Sequence, residues 1–171
     1  MITDKEPTMP TPLPLPRFDT LSPAALAAAK VPEGWPFGIA DAVRFNELDV
    51  LNHANNAAYV SWLENVRIAY FMDYGITDYV SGDRPTIVMR NLQIDFRAQL
   101  HLAERYVVTA RSVDYGRTSW RMENAIFRDG AVAATATCIL VTATPDGRAA
   151  TPLHPEIIEA ITDRDGARPR A

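Results

Sequence analysis

Residues 57–72, Ala-Ala-Tyr-Val-Ser-Trp-Leu-Glu-Asn-Val-Arg-Ile-Ala-Tyr-Phe-Met, are apolar around most of a helical circumference, and this segment limits the fold more than any other. A helix without a broad polar face is buried rather than laid on a surface, so other elements must surround it. The chain that follows supplies almost only strands. Residues 86–100, 105–115, 118–128 and 131–144 are long β-rich runs, and Gly116-Arg117 and Asp129-Gly130 are hairpin turns between three of them. A strand pattern over 39–48 precedes the helix. One buried helix and one antiparallel sheet make an α+β fold in which the sheet curls around the helix. Such a sheet leaves an edge and part of the helix uncovered, which predicts a homodimer; a homotetramer with two sheets back to back is the next assembly.

The ends are read separately. Residues 1–37 hold eight of the thirteen prolines and form a Pro-rich N-terminal arm, extended at 8–16 and containing a short helix from Ser22, the N-cap, through Lys30. A single domain spans 38–165, closing on a short helix that starts near Pro155 and turns Leu153, Ile157, Ile158 and Ile161 inward; residues 166–171 are a tail. A length of 171 residues suffices for one core. The net charge of −4 argues against nucleic acid as a partner. No apolar run reaches the roughly 18 residues of a membrane span. The first residues lack a basic start and an apolar core, so the expected location is cytoplasmic. The one cysteine, Cys138, sits in a strand pattern and is read as a core thiol rather than a nucleophile. His101 and His154 have no partners at metal spacing and are assigned to the surface or to a helix start, so no metal site is expected.

Chemistry concentrates where strand gives way to helix. Asp49-Val-Leu-Asn-His53-Ala-Asn55-Asn56 places a carboxylate, an imidazole and carboxamides before the buried helix, with Asn55 or Asn56 as its N-cap and Gly75 as its stop. Helix N-termini carry free N–H groups and a partial positive charge, a place to stabilise a developing oxyanion. Asp49 is either a turn former or a functional acid at that edge. His53 bonds Asp49, orients water or fixes the loop. Asn55 is either the cap that shapes the remaining donors or a direct substrate contact. Tyr59 and Trp62 line a ligand pocket or pack the core. Glu64 either pairs with Arg67 at i,i+3 or acts in chemistry.

The run Val43-Arg44, Asp49, His53-Ala-Asn55-Asn56-Ala-Ala-Tyr59, Glu64 and Arg67, with the Tyr115-Gly-Arg-Thr-Ser119 turn, resembles the hotdog-fold acyl-CoA thioesterases of the 4-hydroxybenzoyl-CoA thioesterase-like group. The resemblance covers about residues 38–145; Asn52 stands where that family usually has Gly, and the arm has no counterpart in it. It implies a hotdog fold and thioester hydrolysis. Asp49 is then general base or nucleophile, and the Asn56 backbone amide the oxyanion donor. A second branch implies a different base, Glu64, delivered from the partner subunit. Arg117 in the hairpin turn becomes a contact for CoA phosphates, ahead of Arg90, Arg97 and Arg121. No separate cofactor is implied, because CoA is part of the substrate. The rival readings are a hotdog enoyl- or hydroxyacyl-thioester hydratase or dehydratase, whose Asp-x-Asn-x-x-His and His-Phe-Pro patterns the chain lacks, and a non-catalytic acyl-CoA-binding dimer.

Overall fold

The computed structural model describes residues 17–80 and 85–170, and the Pro-rich stretch 8–16, expected to be extended, lies outside them. Its elements are β1 (Asp19–Thr20), α1 (Pro23–Ala28), β2 (Phe37–Ala42), α2 (Asn56–Asp73), β3 (Thr86–Phe96), β4 (Arg105–Tyr115), β5 (Ser119–Arg128), β6 (Ala131–Ala143), α3 (Pro155–Asp165) and β7 (Arg168–Pro169). The antiparallel order is β1-β2-β4-β5-β6-β3, with β7 added in parallel beside β4 beyond the end of β2.

Strand periodicity sorts the side chains onto two faces. Phe37, Ile39, Tyr106, Val108, Ala110, Trp120, Met122, Ile126, Cys138 and Leu140 face α2, which buries Tyr59, Trp62, Leu63, Val66, Tyr70 and Phe71 among them. The long buried helix and the sheet around it are the architecture the apolar pattern predicts. On the outer face, Val107, Ala125 and Phe127 pack against Leu26 of α1 and Val31. A Cβ on Gly38 would lie 2.9 Å from Leu26 Cδ2, so the bare glycine lets α1 approach the sheet.

Two strand boundaries differ from the sequence pattern. β2 stops at Ala42 and a 3₁₀ turn covers Phe45–Glu47, because the Glu47 carboxylate accepts the Arg44 N–H at 2.7 Å and closes the chain into a capping box. β3 stops at Phe96, where the Arg97 and Ala98 N–H groups both donate to the Ala133 carbonyl and the ladder ends. The Asp129-Gly130 turn has φ of 50° and 82°, the paired left-handed geometry that suits a two-residue hairpin.

The chain after α3 returns to the sheet. Gly166 caps α3 at φ 71°, Ala167 is buried, and Arg170 pairs with Asp114 at 2.5 Å. Among the described residues no helix is long and apolar enough to cross a membrane.

Candidate functional site

Residues 47–55 fold back on themselves as a small hairpin at the start of α2. The Glu47 carbonyl accepts the Asn55 N–H at 2.8 Å, Leu48 bridges Ala54, and the Asp49 N–H donates to the His53 carbonyl at 2.8 Å. At the tip the Asn52 N–H donates to the Asp49 carbonyl at 3.1 Å, and Asn52 itself has φ 63°. Asparagine tolerates this left-handed region better than most residues, so it keeps the turn that glycine makes elsewhere. The hairpin is tied to the body of the fold by the Ala54 N–H, which donates to the Leu100 carbonyl at 2.7 Å.

Within that frame Asp49 is exposed but held. Its Oδ1 accepts the N–H groups of Leu51 at 2.8 Å and His53 at 3.1 Å, while Oδ2 has no partner among the described residues. Asn55 is the N-cap, its side-chain oxygen accepting the Ala58 N–H at 2.8 Å. That bond consumes one of the free donors of the first turn and leaves the Asn56 and Ala57 amides without an acceptor among the described residues. One hairpin thus brings together a carboxylate with one open oxygen and a helix N-terminus with open donors.

The other predicted site residues fall in three places. His53 is half-buried, edge to face with His101 at 5.1 Å between ring centroids. His101 is exposed and has an acidic neighbour, Glu104, whose carboxylate accepts the His101 backbone N–H at 2.8 Å. Tyr59 and Trp62 are core side chains, 3% and 1% exposed, with their rings 4.8 Å apart. Arg117 is exposed at the tip of the β4–β5 turn; its carbonyl accepts the Leu153 N–H at 2.9 Å. His154 is the N-cap residue of α3.

Glu64 stands apart from the hairpin, at the middle of α2. It pairs with Arg67 at 3.3 Å, and both line a cavity of about 540 Å³ with Ile68, Phe71, Ile87 and Met89. That volume lies within the range of small-ligand pockets, and its wall is mixed, with the Glu64–Arg67 pair and threonines beside the apolar side chains. A smaller cavity of about 160 Å³ lies beside Trp62, Tyr106 and Arg44, and a third of about 270 Å³ lies beneath α1. None of these three cavities is lined by Asp49, His53 or Asn56. Cys138 is buried, and burial pushes its thiol up to about 11, with Arg67 drawing it the other way. A thiol so placed is protonated and sheltered at neutral pH. Among the described residues no three His, Cys, Asp or Glu side chains gather as a metal site requires.

One residue of the site has no counterpart in the sequence reading. Glu47 accepts the Trp62 indole N–H at 2.8 Å as well as the Arg44 amide, and its own carbonyl holds Asn55. The spacing Arg44-x-x-Glu47 is that of a capping box, but Arg in the cap position hides the signal.

Comparison with known proteins bears on this geometry. A profile of the thioesterase-like superfamily matches residues 43–161. The fold is similar to that of a thioesterase-superfamily protein from a Jannaschia species, with 30% identity, a TM-score of 0.81, and 90% of this chain and 98% of that one covered. It is also similar to a thioesterase from Thermus thermophilus in complex with coenzyme A and Zn, with 34% identity, a TM-score of 0.70, and 79% of this chain and 98% of that one covered. A 1,4-dihydroxy-2-naphthoyl-CoA thioesterase from Synechocystis shares the fold at 16% identity and a TM-score of 0.67, covering 75% of this chain and 97% of that one. A search of curated proteins finds no match. The sheet-around-helix arrangement is the hotdog fold.

Proposed function

The chain belongs to the thioesterase-like superfamily, and from that premise we propose that it hydrolyses acyl-CoA thioesters at the junction of the 47–55 hairpin with α2, in the manner of the 4-hydroxybenzoyl-CoA thioesterase-like group. The observation that carries this reading is the pairing of an Asp49 oxygen left open with unaccepted amides at the helix start, within one hairpin. Asp49 Oδ1 is fixed by two N–H groups, so Oδ2 faces the reacting group. It either takes a proton from the water that attacks the thioester carbonyl, or attacks that carbon itself to give an anhydride that water then opens. In both routes the CoA sulfur leaves and the carbonyl oxygen passes through an oxyanion. The Asn56 N–H donates to that oxyanion, reinforced by the positive end of α2, and one such donor is typically worth about 2.7–4 kcal/mol of barrier. His53 borders the carboxylate. Arg117, exposed without an ion pair among the described residues, meets a CoA phosphate.

The acyl group enters the cavity of about 540 Å³ beside β3, where Ile68, Phe71, Ile87, Met89 and Leu140 offer apolar contacts next to the Glu64–Arg67 pair. This cavity lies next to an edge strand. Beyond β6, β3 pairs with no other strand of the described residues, and Val88, Met89 and Phe96 are exposed along it. A second copy added edge to edge at β3 completes a homodimer. The mass by light scattering is then expected to be twice 18.9 kDa for the wild type and 18.9 kDa for Val88→Asp, which puts a charge on the pairing edge. A wild type already at 18.9 kDa overturns the dimer.

One observation favours a second base. Glu64 is 61% exposed and lines the cavity beside that edge, where a partner's helix start is brought near in the dimer. The test is thiol release from a panel of acyl-CoAs. Glu64→Gln is expected to lower kcat less than Asp49→Asn does, since its pairing with Arg67 competes with catalysis; the reverse order reassigns the base. Hydration of an enoyl-CoA without thiol release would instead support a hydratase, and no turnover of any thioester a binding role.

A further inference from the structure

We propose that Glu47 is a positioning residue for the cleavage, acting as a clamp that holds the Asp49 hairpin against the body of α2. This inference rests on the hydrolase reading above.

The clamp is visible in the bonding of one side chain. The Glu47 side chain is 14% exposed. Its Oε2 accepts the Arg44 N–H at 2.7 Å and its Oε1 accepts the Trp62 Nε1–H at 2.8 Å. The Arg44 guanidinium lies 3.7 Å away but is more closely engaged with Asp41, at 2.8 Å. Among the described residues no other side chain from 44–54 hydrogen-bonds α2 beyond its first turn. The far end of the clamp is rigid, because Trp62 is 1% exposed and stacks on Tyr106 with ring centroids 4.2 Å apart. The near end is the foot of the hairpin, where the Glu47 carbonyl holds the Asn55 N–H. One residue therefore fixes both arms of the loop: the arm leading to Asp49 and the arm that becomes the helix cap.

Chemistry needs that registration. Asp49 and the Asn56 amide act on one carbon and its oxygen, and a displacement of about 1 Å between catalytic groups costs on the order of 100-fold in rate. A carboxylate is suited to this clamp and a carboxamide is not. Two donors converge on the two Glu47 oxygens, so a glutamine sets its own NH₂ against one of them. Trp62→Phe deletes the other half of the contact while keeping an aromatic ring on Tyr106.

The experiment measures kcat and KM for thiol release from hexanoyl-CoA and benzoyl-CoA at 25 °C. The variants are Glu47→Gln, Trp62→Phe and the double substitution. Amide exchange over residues 48–56 is followed in parallel. The expected result is a fall in kcat of about tenfold for each single variant with KM changed less than about twofold, a double variant no worse than the poorer single one, and faster exchange at the Leu51 and His53 amides. A lowered melting temperature with kcat unchanged in the folded protein would reduce Glu47 to a structural role and overturn the proposal. Should Glu47→Gln fail to fold, Trp62→Phe decides alone by the same criteria. If the wild type releases no thiol from either probe, the hydrolase reading fails, and unchanged amide exchange then removes the clamp as well.

Discussion

Asp49→Asn is expected to lower kcat for acyl-CoA hydrolysis by at least about 100-fold with the fold intact. The isosteric change separates the two tasks of this side chain. The asparagine oxygen keeps the Leu51 and His53 N–H groups that Asp49 Oδ1 now accepts, because a carboxamide NH₂ at that position would face two donors. The nitrogen therefore replaces Oδ2, the oxygen with no partner among the described residues, and no structural bond is lost. What disappears is the oxygen that, in the proposed mechanism, takes a proton from water or attacks the carbonyl. KM should change little, since the loss is confined to the transition state. Thiol release measured beside a thermal melt checks this. A variant that melts normally and keeps more than a tenth of wild-type kcat removes Asp49 from the chemistry.

A second large effect is expected far from the hairpin, at Asp165. This carboxylate sits at the end of α3 and accepts the hydroxyls of Tyr70 at 2.6 Å and Tyr74 at 2.5 Å, together with the Ser112 N–H of β4. Tyr70 and Tyr74 stack with ring centroids 3.7 Å apart, and Arg164 lies over the Tyr74 ring. One side chain thus joins α3, α2 and the sheet. Asp165→Ala leaves these donors without that acceptor in a largely dry site, although Tyr70 keeps a second bond, to Ser112 at 2.9 Å. At about 1–3 kcal/mol per stranded donor, a destabilisation of about 3 kcal/mol is expected, which lowers the melting temperature by roughly 6–12 °C for a chain of this size.

Burial raises the Asp165 carboxyl above its ordinary 3.8, against the pull of the tyrosine hydroxyls. The folded chain therefore holds this proton more tightly than the unfolded chain does. Its contribution to stability is full below pH 3.8 and is lost as pH rises through the folded-state value. Asp165→Asn cannot titrate, so denaturant midpoints measured upward from pH 3.8 should decline less with pH in that variant than in the wild type. Equal slopes would show that Asp165 titrates alike in both states.

The parts of this molecule that are legible in the sequence are those written in local periodicity. The Asn55 cap, the all-round apolar helix and its Gly75 stop each depend on residues within a few positions of one another, and the helix runs Asn56–Asp73 with Gly75 at φ 67°. The alternation of β4 to β6 is equally local. The end of β2 is hidden because a capping box with Arg44 in the first position does not look like one. The Glu47–Trp62 contact spans 15 residues and the Tyr70–Asp165 contact 95, so both exist only after the sheet has brought their ends together. The alternatives for Tyr59 and Trp62 cannot be separated by sequence for a similar reason. Aromatic residues on a buried helix face either a ligand or the core according to the strand opposite, and here Tyr106 and Phe96 lie against them.

Helix α1 has a bearing on higher assembly. It occupies the side of β4 and β5 turned away from α2, and two glycines admit it: Gly38 beneath Leu26, and Gly130, where an added Cβ would sit 2.7 Å from Lys30 Cβ. Beside it that side carries the Arg111–Glu123 ion pair, with Trp35 under the Arg111 guanidinium, and the threonines Thr135 and Thr137 of β6. Two such surfaces cannot be stacked flush. Were the proposed homodimers to associate further through this side, they would meet α1 against α1 rather than strand against strand.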